Sequence, residues 1–214
     1  MATAHEPDVE ELINGVVRPS GLMTENAFIS WCDEDVKAEW VDGEVIIMSP
    51  SSYRHVEIVG WLTKVMGMYV AAHDLGKVLG PEFMIRLGAR RRLRVPDILF
   101  LAKDRLHFLR KNHLEGAPDL AIEVVSADSQ SRDRRDKYAD YEAAGVREYW
   151  IIDPIGEDLE VYVLDPEGKY QPLLIKEGVV ASTVLTGLSL RVESFWQSPM
   201  PNEWQTLRGM GLPA

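Results

Sequence analysis

The stretch APDLAIEVVSADSQSRDRRDKYADYEAAGVREYWIID, residues 117–153, decides how this chain folds. Its first ten residues are almost continuously apolar, the pattern of a strand covered on both faces. Ser131 to Ala144 reads as a helix, with Asp133 in the first turn, where a carboxylate suits the helix dipole, and Gly145 placed to end it. REYWIID, residues 147–153, then returns to a strand pattern. Alternate side chains of a strand share a face, so Asp119, Ala121, Glu123 and Val125 project together. A carboxylate in an apolar strand is costly to desolvate without a cation, a metal or hydrogen-bond donors, so Glu123 calls for a partner.

Upstream, LRVPDILFLAKD (93–104) reads as a central strand apolar on both faces, and its Asp97 poses the same problem as Glu123. KVLGPEFMIRL (77–87) reads as another strand, and DRLHFLRKNHLEG (104–116) as a polar loop. Thr24 caps a short helix over TENAFISWCDEDV, and EWVDGEVIIMSP reads as two strands joined at Asp42-Gly43, a dipeptide that tolerates the positive φ of a tight hairpin. From Ser51, the spacing of Val56, Val59, Leu62, Val65, Met66 and Tyr69 predicts a long amphipathic helix stopping near Gly76. Downstream, LEVYVLD and KYQPLLI read as a meander joined by Pro166-Glu167-Gly168. The order of strands, helix, strands, helix, strands predicts an α/β fold, a mixed β-sheet flanked by helices, without internal repeats. The expected organisation is an arm over residues 1–23, one domain over 24–192 and a tail over 193–214.

With 214 residues, 46% of them hydrophobic, the chain can bury one substantial core. MATAHEPDVEEL lacks a basic stretch followed by an apolar one, and no run approaches the roughly 20 apolar residues of a membrane helix, so the expectation is a cytoplasmic protein. One cysteine, Cys32, excludes an internal disulfide and a thiolate zinc site. The net charge of −11 conceals a division: residues 86–147 carry 14 Lys and Arg against 10 Asp and Glu, a balance of +4, while the flanks hold 9 against 24. The basic clusters RLGARRRLR and RDRRDK each lie beside one of the acidic positions, and read either as solvated faces or as nucleic-acid contacts through Arg90, Arg91, Arg92, Arg94, Arg132 and Arg134.

Two carboxylates on adjacent central strands repel each other unless a cation lies between them. A hard divalent ion such as Mg²⁺ or Mn²⁺, bound through oxygen ligands and water, resolves that conflict and activates water toward a phosphodiester. Asp133, Lys137 and Tyr141 stand at i, i+4 and i+8, one stripe of the following helix, which a crossing over the sheet aims at the end of the Glu123 strand. Spacing leaves two readings open for Lys137: charge stabilisation at that site, or a surface pair with Asp133 worth about 0.3 kcal/mol.

VDGEVIIMSP, the helix opening with His55, RVPDILFL, APDLAIEVVS, the D-x-x-x-K-x-x-x-Y stripe and AAGVREYWIIDP, in that order, resemble the Uma2 family of endonucleases within the PD-(D/E)XK nuclease superfamily. The resemblance runs from residue 24 to about residue 192 and rests on the joint order of motifs that are singly weak. It implies a restriction-endonuclease-like core and Mg²⁺-dependent cleavage of DNA. By position it makes Asp97 and Glu123 metal ligands and Lys137 the catalytic lysine. The superfamily lysine two residues after the acid is here Val125, and a lysine from the next helix replaces it.

Candidate accessory residues are Glu44, just past the hairpin turn, His55, Asp119 and Tyr141, the last expected to be half-buried with its hydroxyl directed at Lys137. Each also has a structural reading: strand-end charge, helix cap, turn residue and packing residue. Tyr149 and Trp150 read as core or subunit contact. DNA is the expected partner, membranes are excluded, and the meander at 158–175 offers an edge for a homodimer. The competing reading is a catalytically inactive nuclease fold that binds nucleic acid or protein.

Overall fold

The computed structural model describes residues 11–13, 16–19, 21–32, 36–88, 91–126 and 132–212. Strands β1 (Glu11–Ile13) and β2 (Val16–Arg18) pair as a short antiparallel ribbon within the segment expected as an arm. Helix α1 (Glu25–Trp31) starts at Thr24, whose hydroxyl accepts the Ala27 amide. β3 (Ala38–Val41) and β4 (Glu44–Ile47) form the expected hairpin, with Asp42 and Gly43 both at positive φ (53° and 98°). α2 (Tyr53–Ala72) begins at the Ser52 cap, which accepts the His55 amide at 3.2 Å. Its buried stripe is centred on Ile58, Leu62, Val65 and Tyr69. Val56, expected in that stripe, is rotated out of it and stays 58% exposed.

Two segments expected to be single strands are each divided by a proline. Gly80-Pro81 separates β5 (Gly76–Leu79) from β6 (Met84–Leu87), and Val95-Pro96 separates β7 (Arg92–Arg94) from β8 (Ile98–Ala102). Proline cannot donate to a ladder, so the chain leaves one sheet at each break and enters another. The expected polar loop holds a 3₁₀ turn (Lys103–Phe108) and β9 (His113–Glu115), followed by β10 (Leu120–Val124). The expected helix opens as a π-helical turn (Arg132–Lys137), continues as α3 (Tyr138–Ala144) and ends on Gly145 at φ 83°. β11 (Glu148–Asp153), β12 (Asp158–Leu164) and β13 (Tyr170–Pro172) follow, then β14 (Val179–Ala181), β15 (Ser189–Arg191) and α4 (Glu203–Gly209).

The larger sheet has the order β13-β12-β11-β10-β8-β5, antiparallel except for the β10/β11 pair. The smaller has the order β4-β3-β7-β6-β9, parallel only between β6 and β9. Alternation along β10 divides the core. Leu120, Ile122 and Val124 pack with α2, while Ala121 and Val125 pack with Tyr141, Tyr149 and the Ile85–Leu87 strand on the other face. α1 closes the far face of the small sheet against Trp40, Met84 and Leu93. The segment expected as a tail contributes buried Phe195 and Leu207 to the α2 side of the core. Tyr149 and Trp150 are both core residues, on opposite faces of β11. Cys32 is half-buried, and its thiol donates to the Val36 carbonyl. Among the described residues no helix is long and apolar enough to cross a membrane.

Candidate active site

The site lies where the two sheets approach each other, and the proline break at Val95-Pro96 creates its first member. Asp97 immediately precedes β8, beside the Glu123-Val124 peptide, and its Oδ2 accepts the Val124 amide at 2.8 Å, doing the work of a backbone carbonyl. Its Oδ1 lies 3.1 Å from His55 Nε2, on the first turn of α2. Glu123 projects to the other face of β10, toward α3. The Tyr141 hydroxyl donates to its Oε1 at 2.7 Å, and the Lys137 ammonium stands 2.9 Å from its Oε2. Lys137 sits at the last position of the π-helical turn and is only 2% exposed, so its charge is committed inside the protein.

The other side of Lys137 meets Glu39 of β3, whose Oε1 is 3.2 Å from the ammonium and accepts the Val95 amide at 3.2 Å. Arg94 of β7 donates to Glu39 Oε2 at 2.8 Å and, through Nε and Nη2, to Asp140 Oδ2 at 3.0 and 2.6 Å. Asp140 lies on α3, so this arginine ties the helix that carries Lys137 to the small sheet. All of these side chains except His55 and Asp97, at 12% and 11%, are less than a tenth exposed.

The electrostatics follow from burial and pairing. Burial pushes the Glu39 carboxyl up, but Lys137, Arg94 and the Val95 amide outweigh it and hold the group below its usual range. Burial disfavours the Arg94 charge, and Glu39 and Asp140 overcome this, raising its affinity for the proton. Burial and then the Glu123 charge push the Tyr141 phenol well above its ordinary value, so it serves as a fixed donor.

Of the sequence candidates, the fold brings Glu123, Lys137 and Tyr141 into one contact group and Asp97 and His55 into another, the two linked through the Val124 amide that Asp97 accepts. Tyr141 differs from expectation in being fully buried and in donating to Glu123. Two accessory candidates lie elsewhere. Glu44 is exposed at the start of β4, because strand alternation and the turn direct it to solvent. Asp119, four residues back along the strand and so roughly 13 Å from Glu123, is engaged by the Ala102 amide and by Arg105 and Arg147.

The expected arginine contacts need correction as well. Arg94 is 2% exposed and spent on carboxylates, so it cannot reach a phosphate. Arg92 is half-buried against Asp42 and Asp140, and Arg134 is bound to Asp153 and Glu160. Arg91 is exposed, in left-handed backbone at φ 53°. Arg90 lies outside the described residues, as do the side chains of Arg132 and Asp133.

Glu39, Arg94 and Asp140 are site residues that motif reading passes over. The signal for Glu39 was the one that singled out Glu123, a lone acid between apolar strand neighbours, here Ala38 and Trp40. Arg94 was hidden in a basic run, although Leu93 and Val95 flank it.

Glu39, Glu123 and Asp140 place three carboxylates against the buried cations Lys137 and Arg94, with Arg92 3.6 Å from Asp140. Among the described residues no group of three or more His, Cys, Asp or Glu is disposed as a metal cage. A hard divalent ion of the Mg²⁺ type takes one or two carboxylates and completes its shell with water and phosphate oxygens, a number that Asp97 and Glu123, at the neighbouring strands β8 and β10, can supply. Asp97 and Glu123 are the residues that would hold such an ion. Chemically, the arrangement offers a carboxylate paired with a buried ammonium and a carboxylate paired with an imidazole.

The family model described as "Putative restriction endonuclease", Uma2, matches residues 26–193. No curated protein matches the chain. Among solved structures, a putative nuclease of the DUF820 family from Anabaena variabilis ATCC 29413 superposes with a TM-score of 0.70 at 20% sequence identity, covering 81% of this chain and 97% of that one. At that identity the likeness speaks for the fold alone. The family match spans both proline-divided segments, Glu123 and the Lys137 helix, and with it the chain belongs to the Uma2 family.

Proposed function

We propose that the protein is an endonuclease that hydrolyses DNA phosphodiesters with a divalent metal ion, Mg²⁺ or Mn²⁺, held by Asp97 and Glu123. The observation that carries this reading is the Lys137 ammonium 2.9 Å from Glu123 Oε2, delivered by the helix after the strand to the residue whose following amide, that of Val124, is held by Asp97. Membership of a family described as restriction endonucleases, and a fold neighbour described as a nuclease, support the reaction class. Held by Asp97 and Glu123, a divalent ion would supply Lewis-acid polarisation of a phosphate oxygen and a more acidic bound water.

The chain's own residues perform the remaining tasks. His55 Nε2 orients Asp97 through Oδ1, and the Val124 amide fixes Oδ2. Tyr141 holds Glu123 through Oε1. Lys137 places a positive charge where negative charge develops on the phosphoryl group, in surroundings dry enough for that charge to act strongly.

Conversion of supercoiled plasmid to nicked and linear forms, with and without Mg²⁺, tests the proposal. The wild-type protein is expected to nick only with metal, and Glu123→Gln and Lys137→Ala to lose at least about a hundredfold in rate. Equal activity in the three proteins refutes the assignment.

A further inference from the structure

Lys137 is shared. Its ammonium lies 2.9 Å from Glu123 Oε2 and 3.2 Å from Glu39 Oε1, and the side chain is almost completely buried. If Glu123 were its sole partner, a cation arriving at Glu123 would compete directly with Lys137. The ammonium would then be left buried without a counter-charge or driven from the site. Glu39 removes that conflict.

Glu39 is itself fully buried and immobilised. Its Oε2 accepts from Arg94, its Oε1 accepts from the Val95 amide, and Arg94 is gripped in turn by Asp140, three residues beyond Lys137 on the same helical segment. This carboxylate cannot swing toward an incoming ligand. It can keep the ammonium in place.

We propose that Glu39 is a positioning residue that retains Lys137 beside Glu123 while Glu123 engages the divalent ion. The inference rests on the reading of Asp97 and Glu123 as ligands. It adds that Glu39 is no ligand and acts only through Lys137.

The test is Mn²⁺ titration by calorimetry on the full chain, with no nucleic acid present. It compares wild type, Glu39→Gln, Lys137→Met and the double variant, each checked for folding by thermal denaturation. With Lys137 present, loss of the Glu39 charge removes the anion that holds the ammonium on the side away from Glu123, and Mn²⁺ affinity is expected to fall about tenfold or more. With Lys137 absent, the same substitution is expected to change affinity by less than about threefold, a coupling that independent sites do not show.

An equal penalty in both backgrounds makes Glu39 a ligand or a general charge and overturns the inference, as does no penalty in either. Wild-type protein that takes up no Mn²⁺ overturns the ligand reading itself, a result distinct from the other two. Should Glu39→Gln fail to fold, Glu39→Asp keeps an anion for Arg94 while withdrawing it from Lys137 by one methylene. The expected effect then has the same sign and a smaller size, and its absence overturns the inference.

Discussion

Replacing Arg94 by methionine removes a guanidinium that makes three charged hydrogen bonds inside the protein, one to Glu39 at 2.8 Å and two to Asp140 at 3.0 and 2.6 Å. Methionine fills comparable volume, so the loss is chiefly electrostatic. Hydrogen bonds to charged groups contribute about 1.5–3 kcal/mol each, but a simple sum overstates the cost. Glu39 keeps Lys137 at 3.2 Å, and Asp140 keeps Arg92 at 3.6 Å. Removing one partner from a buried ionic group costs about 3–5 kcal/mol, and with those residual cations we expect about 4 kcal/mol. In urea, with a slope of about 2 kcal/mol per molar for a chain of this size, the unfolding midpoint should fall by about 2 M. Arg94→Lys should lose about half as much, since an ammonium cannot serve both carboxylates as the planar fork does. A midpoint shift below about 0.5 M for Arg94→Met, at unchanged slope, refutes the view that this network binds the helix to the small sheet.

Glu148 is fully buried and accepts from Trp150 Nε1, from the Thr183 amide and hydroxyl, and from the Val184 amide. Glu148→Ala should cost about 3 kcal/mol or more in urea unfolding, because buried donors lose their acceptor, and should speed amide exchange at Thr183 and Val184. Gly76 sits at φ 148° with the space for a Cβ filled by the Leu101 carbonyl and the following peptide, so Gly76→Ala should lose about 3 kcal/mol or fail to fold, read by thermal denaturation. Asp153 carries a pH-dependent share of stability. Burial pushes its carboxyl up, but the Gly156 amide, Arg134 and the Ile155 amide outweigh this and hold it below 3.8. A depressed carboxyl stabilises fully above its unfolded value and loses that contribution as pH falls through the folded one. Melting temperature measured from pH 6 down to about pH 2.5 should therefore drop less steeply in Asp153→Asn than in wild type.

Much of the site was legible because the sequence states its cost openly. Asp97 and Glu123 are acids in apolar strands, and a four-residue period carries Lys137 and Tyr141 to one helical face. The hairpin at Asp42-Gly43, the long helix α2 and the Gly145 stop were equally plain, each set by local chemistry. What remained hidden was tertiary. Periodicity shows that LRVPDILFLAKD is extended, but not that its halves join different sheets, and this division is what brings Glu39 and Arg94 to Glu123. Net charge counts cannot separate a solvated arginine from one spent on buried carboxylates. Arg92, Arg94 and Arg134 therefore read as surface when all three are paired within the fold.

The position of the lysine has a structural consequence. The residue two places beyond Glu123 is Val125, 1% exposed and packed with Tyr141 and Tyr149 against α3. On that face an apolar side chain seals the contact between sheet and helix, and the positive charge arrives at Glu123 from the helix instead. A lysine on the strand would be held by the ladder itself. Lys137 is held by the docking of its helix, through Arg94 and Asp140 on one side and through Arg134 with Asp153 and Glu160 on the other. Charge at the site is thus coupled to tertiary packing. A change that loosens α3 without touching Asp97, Glu123 or Lys137 should weaken the site as surely as a change in one of the three.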